Sequence, residues 1–303
     1  MGRGLFFLPG LWLLVVAQSL AGTPLQVSLQ ARAQQPGEVM LLTVNLEEPV
    51  LSLTGQAFGN EIHFFPTDDL TVWQALIGVD VEVEAGEYTI EMTVVDPMGE
   101  QARHCHTLEI NEKTFPTRYL TLPKKFVDPP ESVQRRIAAE AEEMKQIFLT
   151  VSDKRLWDGT FIRPVPGKVI SAFGKRSVLN GQPRGRHSGV DLRAPMGTPV
   201  KAPAAGLVVL AKELYFSGNC VIIDHGLGLY SIMAHLSEFR VKPGDMVERG
   251  QVVALSGKSG RVEGPHLHWS VRLCNARVDP MALLGISSGK PLTRTLGAVR
   301  DSK

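Results

Sequence analysis

Residues 131–148, ESVQRRIAAEAEEMKQIF, form a long stretch with helical spacing and neither glycine nor proline. On both sides the chain breaks into short β-branched or alternating runs. That division points to a mainly β fold in two parts joined by a connecting helix. Val133, Ile137, Met144 and Phe148 supply the helical apolar positions, Pro129 and Pro130 mark the start, and Glu131 suits a first turn.

Upstream of the helix, VMLLTVNL, EIHFF, GEYTIEMTVVD and HCHTLEI are separated by turn material at Gly59-Asn60, Ala85-Gly86 and Asp96-Pro97-Met98-Gly99. Tyr88, Ile90, Met92 and Val94 alternate with Thr89, Glu91 and Thr93, as in a half-buried strand. Strands at this spacing predict an immunoglobulin-like β-sandwich over residues 22–112. His104 and His106 would share one face of their strand, but two ligands without a third make no metal site. Residues 113–130 read as a proline-stiffened linker, so linker and helix together occupy residues 113–154.

From residue 155 to 285 the β pattern returns in KVISAF, GVDLRA, TPVKAPAAGLVVLAKEL, CVIIDHG, LYSIMAHL, QVVALSG and HLHWSVRL. A short helix is expected at Pro280-Met281-Ala282-Leu283, and residues 286–303 read as a loose tail. The first 21 residues stand apart: one positive charge, the apolar run LFFLPGLWLLVVA and the small residues of Ser19-Leu20-Ala21 have the form of a secretory signal peptide cut after Ala21. No later segment is long and apolar enough to span a membrane. The net charge of +1 gives no global signal for nucleic acid.

The chemistry concentrates in two short motifs. His187 and Asp191 lie in HSGVDL, and His266 and His268 in PHLHW. His187, Asp191 and His268 supply two imidazoles and a carboxylate, enough to hold one zinc ion and leave a coordination position open for water. Gly185 and Gly189 allow tight backbone around the first motif. On a strand, His266 and His268 point to the same side, so one can bind metal while the other moves protons. His235 is the second candidate for proton transfer, whereas His225 in IDHG reads as a packed residue.

FGKR, HSGVDL, APAAG at residues 202–206, GNCVIIDHG, MAHLS, VKPGDMVERGQVVALSGKSG and GPHLHWSVR together resemble the lysostaphin/LytM-type zinc metallo-endopeptidases, over roughly residues 160–284. The resemblance implies an antiparallel β-sheet zinc peptidase domain with one zinc per chain, held by His187, Asp191 and His268. It implies His266 as the histidine that polarises or deprotonates water, and His235 as the second catalytic histidine. Met233 stands where the family often has an aromatic residue, and an effect on the groove wall is expected. The implied substrate is bacterial peptidoglycan, and the β-rich N-terminal part resembles that of exported proteobacterial members. With the leader, this implies a periplasmic D,D-endopeptidase of the D-alanyl–diaminopimelate cross-link, with a regulatory protein partner possible.

Two other readings compete. A silent activator of another wall hydrolase would have been signalled by lost ligands, yet all five positions are filled; the linker and sandwich keep the occluded form of this reading open, because an occluded enzyme would look inactive in isolation. VKPGDMVERGQVVALSGKSG also resembles a lipoyl- or biotin-carrier hammerhead, but the surroundings of Lys258 lack a carrier motif. Cys105, Cys220 and Cys274 allow one disulfide; a Cys220–Cys274 bond and three thiols are left as equal alternatives.

Overall fold

The computed structural model describes residues 13–16, 25–121 and 128–288. Strands Leu25–Ala31, Val39–Leu46, Val72–Gly78 and Phe65–Pro66 lie side by side in that order in one sheet. Strands Asn60–His63, Ser52–Ala57, Gly86–Val95 and Gln101–Ile110 make the second, in that order. Counted from Leu25, the sheets read first-second-sixth-fifth and fourth-third-seventh-eighth, which is the immunoglobulin arrangement. Leu13–Val16 adds a strand antiparallel to Leu25–Ala31; the rest of the expected leader lies outside the described residues.

Met40, Leu42, Val44, Ile90, Met92, Val94, Leu108 and Ile110 fill the space between the sheets. Val39 and Leu41 point the other way, into the core of the C-terminal half, with Phe65, Leu76 and Val81. VMLLTVNL is therefore a continuous apolar run because it is covered on both faces. His104 and His106 are buried on the inward face of their strand while Cys105 is exposed, and burial lowers the pKa of both imidazoles.

Part of the expected linker is a strand. Thr117–Leu120 runs parallel to Arg176–Leu179, which pairs in turn with Gln182–Arg186. The edge of that hairpin satisfies the backbone of the segment, and a β-branched and aromatic tetrapeptide suits the pairing.

The helix runs from Glu131 to Leu149. Its C-terminal turns bury Phe148, with Met144 and Ile147 beside it, against Leu210, Leu214, Cys220, Ile222, Tyr230 and Ile232. The rings of Phe148 and Tyr230 meet edge-on at 5.6 Å. Tyr230 also donates a hydrogen bond to the carbonyl of Thr150, tying the end of the helix to the sheet.

The C-terminal sheet orders its strands Val169–Ser171, Gly189–Leu192, Leu267–Leu273, Leu229–Phe239, Gly218–Asp224, Gly206–Leu214 and Met246–Val247, with antiparallel pairing throughout this path. One face packs on the main core through Val190, Leu192, Leu267, Trp269, Val271 and Met233. The short helix Pro280–Leu283 follows, with Asp279 capping it through the Met281 N–H.

All three cysteines are thiols. Strand Leu229–Phe239 separates the strand of Cys220 from Leu267–Leu273, after which Cys274 follows. The two residues also sit near opposite ends of that strand, since Asn219 pairs with Leu236 and Leu273 with Leu229. A disulfide needs α-carbons within about 7 Å, and this layout excludes it.

Candidate active site

The site is assembled across three neighbouring strands. Asp191 and His268 face each other in register on Gly189–Leu192 and Leu267–Leu273, and His268 faces Ala234 on the next strand. Alternation sets the direction. Val190 and Leu192 point into the core, so Asp191 points out of the opposite face; Leu267 and Trp269 do the same for His268. At Gly189 a β-carbon would stand 2.3 Å from the Trp269 carbonyl oxygen, so close approach of these strands requires glycine there. Gly185 has no such neighbour, which corrects the expectation that both glycines serve a tight backbone.

His187 precedes its strand and is held by backbone on all sides. Its N–H donates to the Lys175 carbonyl at 2.8 Å, and its own carbonyl accepts from the Gly174 N–H at 2.8 Å. Its Nδ1 lies 2.9 Å from the Ala172 carbonyl, which makes Nδ1 the protonated nitrogen and leaves Nε2 as a donor of electrons. That Nε2 sits 3.0 Å from Asp191 Oδ1 and 3.1 Å from His268 Nδ1, while His268 Nδ1 is 2.9 Å from the same Asp191 oxygen. His187, Asp191 and His268 thus bring three ligand atoms together, and among the described residues they form the one group of this kind. Burial would raise the Asp191 carboxyl, but the His187 and His268 imidazoles beside it outweigh that and hold it well below the usual range. Burial lowers the pKa of His268. An ionised carboxylate and a neutral imidazole are the states a metal requires.

His235 and His266 stand beside this cluster. Their rings are 5.1 Å apart, and the His235 ring is 5.9 Å from that of His268. His266 Nε2 lies 3.6 Å from Asp191 Oδ1, and its Nδ1 is 2.9 Å from the Gly264 carbonyl. His235 Nδ1 lies 3.0 Å from the Ser259 carbonyl. Burial, reinforced by the nearby His268 and His266, pushes the His235 imidazole down to about 3, so it is neutral at pH 7.

A bulge aims His235. Val221 pairs with Met233 and Asn219 with Leu236, so Cys220 alone opposes both Ala234 and His235. His235 takes a φ of 64°, which is costly for a residue with a β-carbon. Without the extra residue, alternation would put His235 on the core side with Met233; the bulge turns it to the site. Met233 itself is fully buried in the main core and does not line the groove, so the expected effect on the groove wall is not found.

The five residues open onto one groove of about 770 Å³. Ser171, Lys175, Arg186, Phe216, Arg261 and Glu263 are among the other residues lining it, and the sequence assigned a role to none of them. FGKR and the glycine-rich run 257–264 were the available signals. His225 lies elsewhere, fully buried between the Ala205 carbonyl and the Ser231 hydroxyl, and burial pushes its pKa down to about 4. It is a packed histidine.

Fold and site define a β protein that gathers two imidazoles and a carboxylate at the floor of a groove. Residues 185–280 match Peptidase family M23. A Pseudomonas aeruginosa crystal structure assigned to peptidase M23 is similar with a TM-score of 0.66 at 30% identity, covering 84% of this chain and 96% of that one. This chain belongs to peptidase family M23. Peptidoglycan DD-endopeptidase ShyA of Vibrio cholerae is 42% identical over 95 residues, which are 31% of this chain and 22% of that protein. DD-carboxypeptidase/endopeptidase Mpg of Neisseria meningitidis is 39% identical over 116 residues, 38% of this chain and 27% of that protein. The chain therefore matches less than a third of the length of either relative.

Proposed function

We propose that this chain is a zinc-dependent endopeptidase that hydrolyses peptide cross-links of bacterial peptidoglycan, acting on the D-alanyl–diaminopimelate bond. The observation that carries this reading is the convergence of His187, Asp191 and His268 at a groove that also receives His235 and His266. The donor set fits zinc: two imidazoles and one carboxylate, with His187 fixed in one tautomer by Ala172. When bound, the ion supplies Lewis acidity, which favours ionisation of water and stabilises negative charge on a carbonyl oxygen.

The histidines at the rim supply the proton chemistry. With Nδ1 donating to Gly264, His266 keeps Nε2 unprotonated and can accept a proton from the attacking water. With Nδ1 donating to the Ser259 carbonyl, His235 leaves Nε2 unprotonated, and its depressed pKa makes it a weak base suited to accept a hydrogen bond from the water rather than its proton. The names of the curated relatives support peptidoglycan as substrate. The leader-like residues 1–21 support export, and a peptidoglycan substrate then fits the periplasm. Among the described residues no helix is long and apolar enough to cross a membrane.

The test is digestion of Gram-negative peptidoglycan sacculi by the chain without residues 1–21, followed by muropeptide chromatography and a zinc count. Chelator-sensitive loss of cross-linked dimers with one zinc per chain is expected. Bound zinc without cleavage would replace this reading with a regulator of another wall hydrolase.

A further inference from the structure

Phe115 lies between the two domains, outside the strands that carry the ligands, yet its ring stands against the turn that holds His187. A β-carbon added to Gly174 would meet Cδ1 and Cε1 of Phe115 at 2.1 Å, so the ring rests on the glycine backbone itself. Gly174 has a φ of 79°, a conformation that favours glycine. Residues 172–175 are the segment that fixes His187 through three hydrogen bonds, at Ala172, Gly174 and Lys175.

Other contacts converge on the same ring. Phe173 meets it edge-on at 6.3 Å between centroids. The Arg186 guanidinium, one residue before His187, stands 4.8 Å from its centroid and is held from the sandwich by Glu82 at 3.0 Å. Beyond Phe115, the Pro116 carbonyl accepts from the Arg176 N–H, and Thr117–Leu120 continues along Arg176–Leu179. The interdomain segment is thus joined to both chain segments that lead to the ligand.

We propose that Phe115 is a positioning residue for the metal site: through Gly174 and Arg186 it holds the 172–175 turn so that His187 presents Nε2 to Asp191 and His268. This inference rests on the zinc reading above. It makes metal affinity depend on a residue outside the family-matched 185–280. Loss of a group that orients a ligand typically weakens metal binding about 10–100-fold. A residue that only glues the domains would not have that effect. Phe65 provides the comparison, because it packs edge-on against Trp157 across the same domain interface, in a contact that involves none of residues 172–187.

The experiment measures zinc affinity of the full chain by competition with a chromophoric chelator, together with the visible absorption of the cobalt-substituted protein and the thermal midpoint of the metal-free protein. Phe115→Ala is expected to weaken zinc about 10–100-fold and alter the cobalt spectrum. Phe115→Leu should bind zinc more weakly than wild type but more tightly than Phe115→Ala, and Phe65→Ala should lower the thermal midpoint while leaving affinity unchanged. Wild-type affinity in Phe115→Ala, or an equal loss in Phe65→Ala, overturns the proposal. If Phe115→Ala does not fold, Phe115→Leu decides: weaker zinc binding than wild type upholds the proposal and unchanged binding overturns it. Failure of the wild-type chain to bind zinc would instead sink the metal reading on which it rests.

Discussion

Among the four site histidines and the aspartate, the proposed division between metal binding and proton transfer follows position in the strand. His268 is locked in register between Asp191 and Ala234, whereas His266 stands just before the strand, where it forms an isolated bridge with Gly257. Removing His268 leaves two ligands, so His268→Ala is expected to lose bound zinc and hydrolysis together. His266→Ala is expected to keep zinc and lose turnover by about 10²–10⁴-fold, the usual range for a general acid or base. Zinc counts and turnover measured on both variants check this; full zinc retention in His268→Ala would remove it from the ligand set. The grouping of His187, Asp191 and His268 was legible in HSGVDL and PHLHW. The route by which His235 reaches the groove was not, because a bulge depends on what the neighbouring strand places opposite it, and no motif spells that out.

At the scale of elements, legibility followed how each strand is covered. Gly86–Val95 is buried on one face, so its alternation showed in the sequence. Val72–Gly78 gave no comparable signal: Ala75 and Ile77 face the sandwich core while Leu76 faces the other domain, and burial on both sides erases alternation. Ser52–Ala57 buries little beyond Leu53 and Ala57, too few apolar positions to mark a strand. Thr117–Leu120 was hidden for another reason, since its pairing partner lies far along the chain and its local composition reads as linker. The helix was legible from its period, yet its buried anchor is Phe148, while Val133 and Ile137 are only half-buried. Phe148 touches the sheet beside Tyr230, Ile232 and Ala234, on the face that carries the site further along. Phe148→Ala is expected to cost about 3–5 kcal/mol of stability through the cavity it leaves. Because the ligands come from other strands, zinc affinity should be unaffected; thermal unfolding and zinc titration of the variant separate the two effects.

Across the whole molecule, sandwich and C-terminal domain share a core, and a polar clasp fixes how they meet. Asp80 of the sandwich accepts from Arg277 three times: from its backbone N–H at 2.7 Å, its Nε at 3.0 Å and its Nη2 at 2.6 Å. Nearby, Arg32 joins Glu38 at 2.8 Å to Asp279 at 2.7 Å, so a second bridge crosses the same boundary. Burial would raise the Asp80 carboxyl, but the hydrogen bonds and charge of Arg277 outweigh it and leave the pKa below the ordinary value. A carboxylate with a lowered folded-state pKa stabilises the protein above its unfolded value of about 4 and loses that contribution as pH falls toward the folded value. Asp80→Asn keeps the shape but removes the charge, and charge-assisted hydrogen bonds contribute roughly 1.5–3 kcal/mol each way they are lost. The variant is expected to be less stable than wild type by that order at pH 7, and the gap should close as the pH drops below about 4. Thermal midpoints of both proteins from pH 7 to pH 3 check it. A gap that stayed constant over that range would show that Asp80 acts through shape rather than charge, and the clasp would then be packing alone.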